Sequence, residues 1–421
     1  MKFDHSLDHA RRLDRHDELR SYRDLFSIPD PDTIYMDGNS LGRMPKASID
    51  LISALSDQWS GDVINGWKGG WFDLSQKIGA KIARLIGARP SEVIVADSTS
   101  INLFKLVLAA LQLDASKKVI VSDELNFPSD LHALQAANKL LGGKHRMRMM
   151  ASDDGITISP AALEKAVKPD VALAALSLTA FKSGFTYDMH AVTNMVHKAG
   201  ALMLWDLSHS VGAIPIDLNK CGADLAVGCT YKYLNGGPGA PAFLFIREGL
   251  QKKLLNPLAG WFGQKDQFKF ALDHEPAKGI TQFLTGTPPI LSLAPVEVGV
   301  DISLRAGMKN IRKKSIEQSS YFIALATELL FPLGVRLNSP EHAEQRGSHV
   351  SLGHREGYAI DRAMINEMKV IPDFRHPDNI RFGITPLYTS FEDIHHAVTR
   401  MRAVLLDKTY KKYSRAITGV T

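Results

Sequence analysis

From about residue 76 to residue 247 the chain alternates continuous apolar runs with helix-patterned stretches, and nothing else in it restricts the fold as much. VIVAD at 93–97 precedes a helical pattern from Ser100, and KVIVSD at 118–123 precedes another from Ser129. VALAALS at 171–177 and ALMLWDLS at 201–208 flank a third over 188–199, and LAVGCTYK and APAFLFI follow. A strand with one wet face alternates apolar and polar residues. These runs do not, which is the pattern of strands covered by helices on both faces. The expectation is an α/β fold with a mostly parallel sheet. Such sheets bind ligands beyond the carboxyl ends of their strands. Asp97, Asp123, Ser177, Asp206 and Lys232 all fall near those ends, so a single site can collect them.

From about residue 293 the pattern changes. A long helical stretch runs through 325, followed by strand candidates VRLNS, SHVSL and IRFGI and a closing helix from Glu392, which reads as a compact α+β lobe. A chain of 421 residues exceeds the size at which one core usually divides. The expected division is a large domain over 49–292 and a smaller one made of 1–48 with 293–421.

Lys232 and Asp206 carry the first chemical inference. A lysine placed at the end of a buried strand is costly unless its amine is used, and an aspartate at the end of an earlier strand can hold the proton of a pyridine nitrogen. Together they suggest a pyridoxal phosphate site. Asp97, Ser98, Thr99 and Ser100 precede an apolar helix, where free amides and hydroxyls bind an anion such as phosphate. Phe127, in NFPSDLHAL, offers a flat face to a pyridine ring, with Ser129 or Asp130 opening the next helix. His209 and Tyr231 could reach cofactor oxygens, and Arg381 has the fork that suits a substrate carboxylate. Each residue alone has an ordinary structural explanation, as a helix cap, core aromatic, satisfied histidine or solvated lysine. Their order along the chain favours the cofactor.

Composition narrows the alternatives. No apolar run approaches the roughly 18 residues that span a bilayer, and MKFDHSLDHARRLDRHDELR has no signal-like apolar core, so a soluble cytoplasmic protein is expected. The net charge is +5, but basic residues cluster only at 312–314 and in the tail KTYKKYSR. Without a zinc-finger or RNA-binding signature, nucleic acid is not an expected partner. Cys221 and Cys229 cannot make a disulfide framework, and no metal-ligand cluster stands out.

Read together, the segments resemble kynureninase, a fold-type I pyridoxal phosphate enzyme related to class V aminotransferases. The resemblance rests on MDGNSLGRMP (36–45), NGWKGGWFDL (65–74), STSINLFKL (98–106), NFPSD (126–130), WDLSHSVGAIPIDL (205–218) and TYKYLNGGPGAP (230–241). It continues through AGWFG (259–263), TGTPPILSL (285–293) and DFRHPDNIRFGITPLYTSFEDI (373–394). It implies a seven-stranded, mostly parallel sheet between helices. It also implies that Lys232 holds the cofactor covalently, Asp206 pairs with its ring nitrogen and Phe127 stacks on the ring with Asp130 nearby. Thr99, Ser100, Ser177, His209 and Tyr231 would complete the shell. The family forms dimers, and Trp261 and Thr287 would reach the cofactor from the partner subunit. Arg381 would hold the substrate carboxylate, while Ser40, Trp67, Trp261 and Phe262 would line the side-chain pocket. The implied reaction is hydrolysis of L-kynurenine or 3-hydroxy-L-kynurenine to anthranilate or 3-hydroxyanthranilate and L-alanine, in tryptophan catabolism. In it Lys232 moves the α proton and Tyr231 handles protons near the γ carbonyl.

Two stretches depart from the family pattern. Family members usually carry histidine or asparagine at Ala180, the bacterial ones a histidine near Leu178, and histidine at Gln264. These changes leave the cofactor residues intact and bear on the substrate. A kynureninase-like enzyme acting on another β-acyl or β-substituted amino acid is therefore the second reading. A class V aminotransferase or desulfurase is the third, and a non-catalytic binding protein the fourth.

Overall fold

The computed structural model describes residues 4–414. Residues 1–3 of the amino-terminal segment and Arg415 of the basic tail lie outside the described residues. Helix α1 (Leu7–Arg15), strand β1 (Ile34–Tyr35), α2 (Lys46–Asp62) and α3 (Leu74–Leu85) come first. β2 (Val93–Val95) leads into α4 (Thr99–Leu111), β3 (Val119–Asp123) into α5 (Pro128–Leu140), and β4 (Arg146–Met150) into α6 (Pro160–Ala166). β5 (Val171–Ser177), α7 (Met189–Lys198), β6 (Leu202–Asp206) and the single turn α8 (Leu218–Cys221) follow. β7 (Leu225–Gly228), β8 (Phe243–Ile246) and the turn α9 (Glu248–Gln251) complete the central part.

The central sheet has seven strands in the order β2-β8-β7-β6-β5-β3-β4. All run parallel except β8, which is antiparallel to both neighbours. No helix lies between β7 and β8, and a chain that returns without a crossover must pair antiparallel. Successive strand residues go to opposite cores. Met203 and Trp205 of β6 join the cluster with Ile78, Val300 and Val196, whereas Leu204 joins Leu103, Leu106 and Phe283. Burial on both faces is why the strands read as unbroken apolar runs. The strand order reverses between β3 and β5, and the crevice at such a switch point is where this architecture binds ligands.

The remaining chain forms α10 (Ile290–Ala306), α11 (Met308–Leu329), β9 (Arg336–Leu337), β10 (His349–Gly353) and α12 (Gly357–Met368). β11 (Val370–Ile371), β12 (Asp373–Arg375), β13 (Asn379–Gly383) and α13 (Phe391–Leu406) close it. Strands β12-β13-β10-β9 make an antiparallel sheet whose core includes Phe322, Val350, Phe382, Ile394 and Met401. Ala10 of α1 and Ile34 of β1 join that core, and β1 pairs with β11. Helix α10 is shared: Leu293, Val296 and Val300 pack in the central core, Ile302 and Ala306 with Leu19, Phe26 and Leu387.

Four details differ from the sequence reading. Gly307, at φ +78°, divides the long helical stretch into α10 and α11. β4, RMRMM, went unanticipated because it is a sheet-edge strand with exposed charge. Helices α4 and α5 start one residue earlier than expected. Lys232 lies four residues beyond β7, in a turn, and is half-buried rather than held at a buried strand end.

Candidate active site

Lys232 is fixed by its backbone. The Tyr231 carbonyl accepts from Gly42 N at 2.8 Å, and Asn235 N donates to the Lys232 carbonyl at 2.9 Å. A Cβ at Gly42 would stand 2.3 Å from that carbonyl oxygen, so the GNSLG loop needs glycine where it crosses the lysine turn. The Lys232 amine points at His209, with Nζ 2.9 Å from Nε2. His209 follows β6 and is buried, and its Nδ1 has no partner within the protein. Burial first, and then the charge of Lys232, hold this imidazole well below its usual pKa, so it is neutral.

Asp206 ends β6. Its Oδ1 accepts from Ser208 N at 2.9 Å and Ser208 Oγ at 2.6 Å, and Ser177 Oγ lies 3.5 Å from Oδ2. Ser177 is held more firmly by Asn126 Oδ1, at 2.7 Å. Asp130, buried in the first turn of α5, meets Asp206 through their side chains. Burial first, and then the negative charge of Asp206, push the Asp130 carboxyl well above the usual range. Asp130 therefore holds a proton to share, and the two carboxyls present one negative charge. Phe127, directly before α5, is 42% exposed and meets Phe181 edge to face, with centroids 5.1 Å apart. A half-open aromatic among buried groups has a face free for a planar ligand.

Ser98 caps α4, its Oγ accepting from Ile101 N, and Thr99 and Ser100 form the first turn. Ser100 Oγ lies 3.0 Å from Ser129 Oγ. Asp97 beside them adopts φ +46° and is anchored on both oxygens. Lys105 Nζ donates to Oδ2 at 2.7 Å, and Thr285 Oγ1 to Oδ1 at 2.9 Å. Lys105 also donates to the Phe283 carbonyl, so it ties the start of α4 to the segment that carries Thr287. Asp97, Ser98, Tyr231, Thr285 and Thr287 line a cavity of about 480 Å³. Cys229 first, and then burial, push the Tyr231 phenol up, which keeps it protonated.

Arg381 on β13 is buried and largely engaged. It donates through Nε to Asp373 Oδ1 at 2.7 Å, through Nη2 to Asp373 Oδ2 and Ser40 Oγ, and through Nη1 to the Phe181 carbonyl. A guanidinium has five N–H groups, so one on Nη1 remains for a ligand. Ser40 Oγ also donates to Asp373 Oδ2 at 2.9 Å. Burial alone would raise the Asp373 carboxyl, but Arg381 and Arg375 outweigh it and hold it low.

Trp67 and Phe262 pack together, 5.7 Å apart, in a second aromatic group with Trp71, Phe72, Trp261 and Phe268. Among the described residues no hydrogen bond or ring contact joins this group to Ser40 and Arg381. Trp261 is 45% exposed, and Phe268, Phe270 and Leu272 beside it are more so. Gln264 has a structural task here: its Oε1 accepts from Glu275 N and pins this exposed loop. Ala180 is buried in a tight turn, donating to the Phe185 carbonyl.

Sequence reasoning missed Asp373, Arg375, Ser208, Asn126, Lys105 and His349. Asp373 left a trace in the paired motifs DFR and NIRFG, whose charged residues face across a hairpin. Ser208 and Arg375 each lie two residues from a partner, Asp206 and Asp373, whereas Asn126, Lys105 and His349 depend on folding to meet theirs.

A helix-covered, mostly parallel sheet with a lysine in the turn after β7 and an acid ending β6 defines the fold-type I class of enzymes. A cysteine desulfurase from Thermococcus onnurineus NA1 matches at TM-score 0.75 and 19% identity, over 94% of this chain and 98% of its own. The cysteine desulfurase CsdA of Escherichia coli matches at TM-score 0.78 and 13% identity, over 94% and 99%. The chain belongs to the kynureninase family. It is 42% identical to a kynureninase from Pseudomonas fluorescens over 404 residues, covering 94% of this chain and 95% of that one. It is also 42% identical to one from Burkholderia mallei (strain SAVP1), over 94% of each. The family model for the kynureninase C-terminal domain matches residues 311–401.

Proposed function

We propose that the protein hydrolyses the Cβ–Cγ bond of L-kynurenine or 3-hydroxy-L-kynurenine with pyridoxal phosphate, releasing anthranilate or 3-hydroxyanthranilate and L-alanine. The observation that carries this reading is the facing pair of Lys232 and His209 beside the proton-sharing Asp206 and Asp130, in a chain of the kynureninase family. The donor set fits the cofactor from end to end. Hydroxyls and free amides at the start of α4 suit a phosphate, Phe127 offers a stacking face, and Asp206 suits the proton of a pyridine nitrogen. When bound, pyridoxal phosphate supplies a carbonyl that takes up the substrate amine and a ring that absorbs the electrons released at its carbons.

The chain's own residues divide the remaining work. Lys232 would hold the cofactor and, once released from it, would serve as the base for the α proton. Asp206, fixed by two hydrogen bonds from Ser208, would pair with the ring nitrogen. Arg381, already oriented by Asp373, spends its last N–H on the substrate carboxylate. Tyr231, protonated and beside Lys232, delivers protons near the γ carbonyl as water adds there and the Cβ–Cγ bond breaks. Thr99, Ser100 and Ser177 would hold the cofactor. We assign Trp261 and Thr287 to the partner subunit's site in a homodimer, with Ser40, Trp67 and Phe262 along the side-chain pocket. The exposed Trp261, Phe268, Phe270 and Leu272 support this, since an apolar surface of that kind favours a covered interface.

The division at 49–292 and 1–48 with 293–421 remains our reading of the domains, and a cytoplasmic location fits the absence, among the described residues, of any membrane-spanning helix. A desulfurase needs a reactive thiolate. Burial pushes both the Cys229 and Cys221 thiols up, which disfavours one here. The test is incubation of cofactor-loaded protein with each kynurenine, following anthranilate or its hydroxy analogue together with alanine. Turnover of neither substrate would move the activity to another β-substituted amino acid, with Ala180 and Gln264 the first positions to examine.

A further inference from the structure

His349 lies on β10, fully buried, and neither of its ring nitrogens has a hydrogen-bond partner within the protein. Its ring centroid is 5.5 Å from that of His209, at 56°. The Phe181 carbonyl, already bound by Arg381, also acts on this ring. Gly184 closes another side, where a Cβ would stand 3.4 Å from His349 Nε2. The charged groups that act on this imidazole are Arg381, Asp373 and Lys232, and Arg375 acts with Arg381 on His209.

The proton inventory gives His349 a task. With Lys232 as the donor of the pair, His209 Nε2 is the acceptor and the His209 proton sits on Nδ1. That buried N–H has no acceptor of its own, which is costly. We propose that His349 is a positioning residue that accepts the His209 Nδ1 proton, directly after ring rotation or through one bridging water, and thereby sets which His209 nitrogen faces Lys232. The other His349 nitrogen then carries its proton toward the Phe181 carbonyl. The result is one line from the carboxylate-binding Arg381, through Phe181, His349 and His209, to Lys232. A neutral imidazole can exchange donor for acceptor by changing tautomer, so the same line serves when His209 must instead donate to a bound oxygen. Burial first, and then Arg381, hold His349 near pKa 3, so it stays neutral across the working range.

This inference rests on the cofactor reading of Lys232, but its test does not. Full-length, cofactor-free protein with 15N-labelled histidine is measured by NMR, with the His209 signals assigned by their loss in His209→Asn. The wild type should show His209 as a single Nδ1–H tautomer. In His349→Leu the two tautomers should mix, and His349→Gln, which restores an acceptor and a donor, should return the single form. Circular dichroism confirms that each variant folds. A folded His349→Leu with wild-type His209 shifts would overturn the proposal, as would a wild type already mixed or protonated on Nε2. Failure of the cofactor reading would appear separately, as wild-type protein that takes up no pyridoxal phosphate and gains no visible absorbance.

Discussion

Asp373 and Arg381 stand directly opposite each other on the paired strands β12 and β13, and the carboxylate grips the guanidinium fork from the buried side. The pair fixes where the free N–H of Arg381 points before any substrate arrives. Ser40 donates to the same carboxylate, so the GNSLG loop is joined to this ion pair as well as to the lysine turn.

Removing that carboxylate should therefore act on recognition. Asp373→Asn is expected to raise KM for the amino-acid substrate at least about tenfold, the effect of roughly 1.4 kcal/mol of lost positioning, while the cofactor absorbance stays unchanged. Arg381→Lys should fail in the same way despite keeping the charge, because an ammonium lacks the fork. Steady-state kinetics and the visible spectrum check both, and an unchanged KM in Asp373→Asn would separate the pair from substrate binding.

Asp361, buried on α12, has neither oxygen hydrogen-bonded. Burial first, and then the charge of Asp373, push its carboxyl from the ordinary 3.8 up to about 8. The folded chain then binds a proton that the unfolded chain has released, so this group's contribution declines as pH rises from about 4 to about 8 and then levels off. Asp361→Asn should remove that decline. Its melting temperature should exceed wild type by a few degrees near pH 8 and by much less near pH 5. Equal melting temperatures at both pH values would mean that Asp361 ionises normally.

Lys105 is inside α4 with no exposed side-chain surface, and it joins Asp97 to the Phe283 carbonyl. Lys105→Met leaves a partly buried carboxylate without its cation, a change that typically costs about 3–5 kcal/mol. It also frees the segment that carries Thr287. Lower thermal stability and weaker cofactor retention on dialysis are expected together, and Lys105→Met with Asp97→Asn should recover part of the stability. Full cofactor retention in the single variant would show that the phosphate end does not depend on this anchor.

How much of this was legible in the chain follows from how local each feature is. Strands buried on both faces leave unbroken apolar runs, so the sheet, its direction and the residues at its ends could be read in sequence. Asp206 and His209 belong to that set because one ends β6 and the other directly follows it, whereas Lys232, expected at a strand end, lies in a turn four residues beyond β7. The Asp373 contact depends on hairpin register, and the Lys105 anchor joins residues far apart in sequence. His349 looks like one more polar residue in SHVSL until β10 brings it beside His209. Trp67 and Phe262 were expected with Ser40 and Trp261 along the side-chain pocket. They lie in an aromatic group with Trp71, Phe72 and Trp261, whose packing brings together segments far apart in sequence.

Asp206 and Asp130 give the sharpest test of the site, because their different protonation makes similar substitutions unequal. Asp130 already holds a proton, so Asp130→Asn replaces a neutral donor with another of nearly the same shape, and turnover should stay within about tenfold of wild type. Under the proposed function Asp206→Asn removes the carboxylate that pairs with the ring nitrogen, and turnover should fall by about a thousandfold or more while cofactor still binds. In Asp206→Asn, stopped-flow spectra should show substrate binding without the loss of its α proton, detected by absence of exchange with deuterated solvent. If Asp130→Asn is the more damaged variant, the proton sits on Asp206 and the roles of the two carboxyls are reversed.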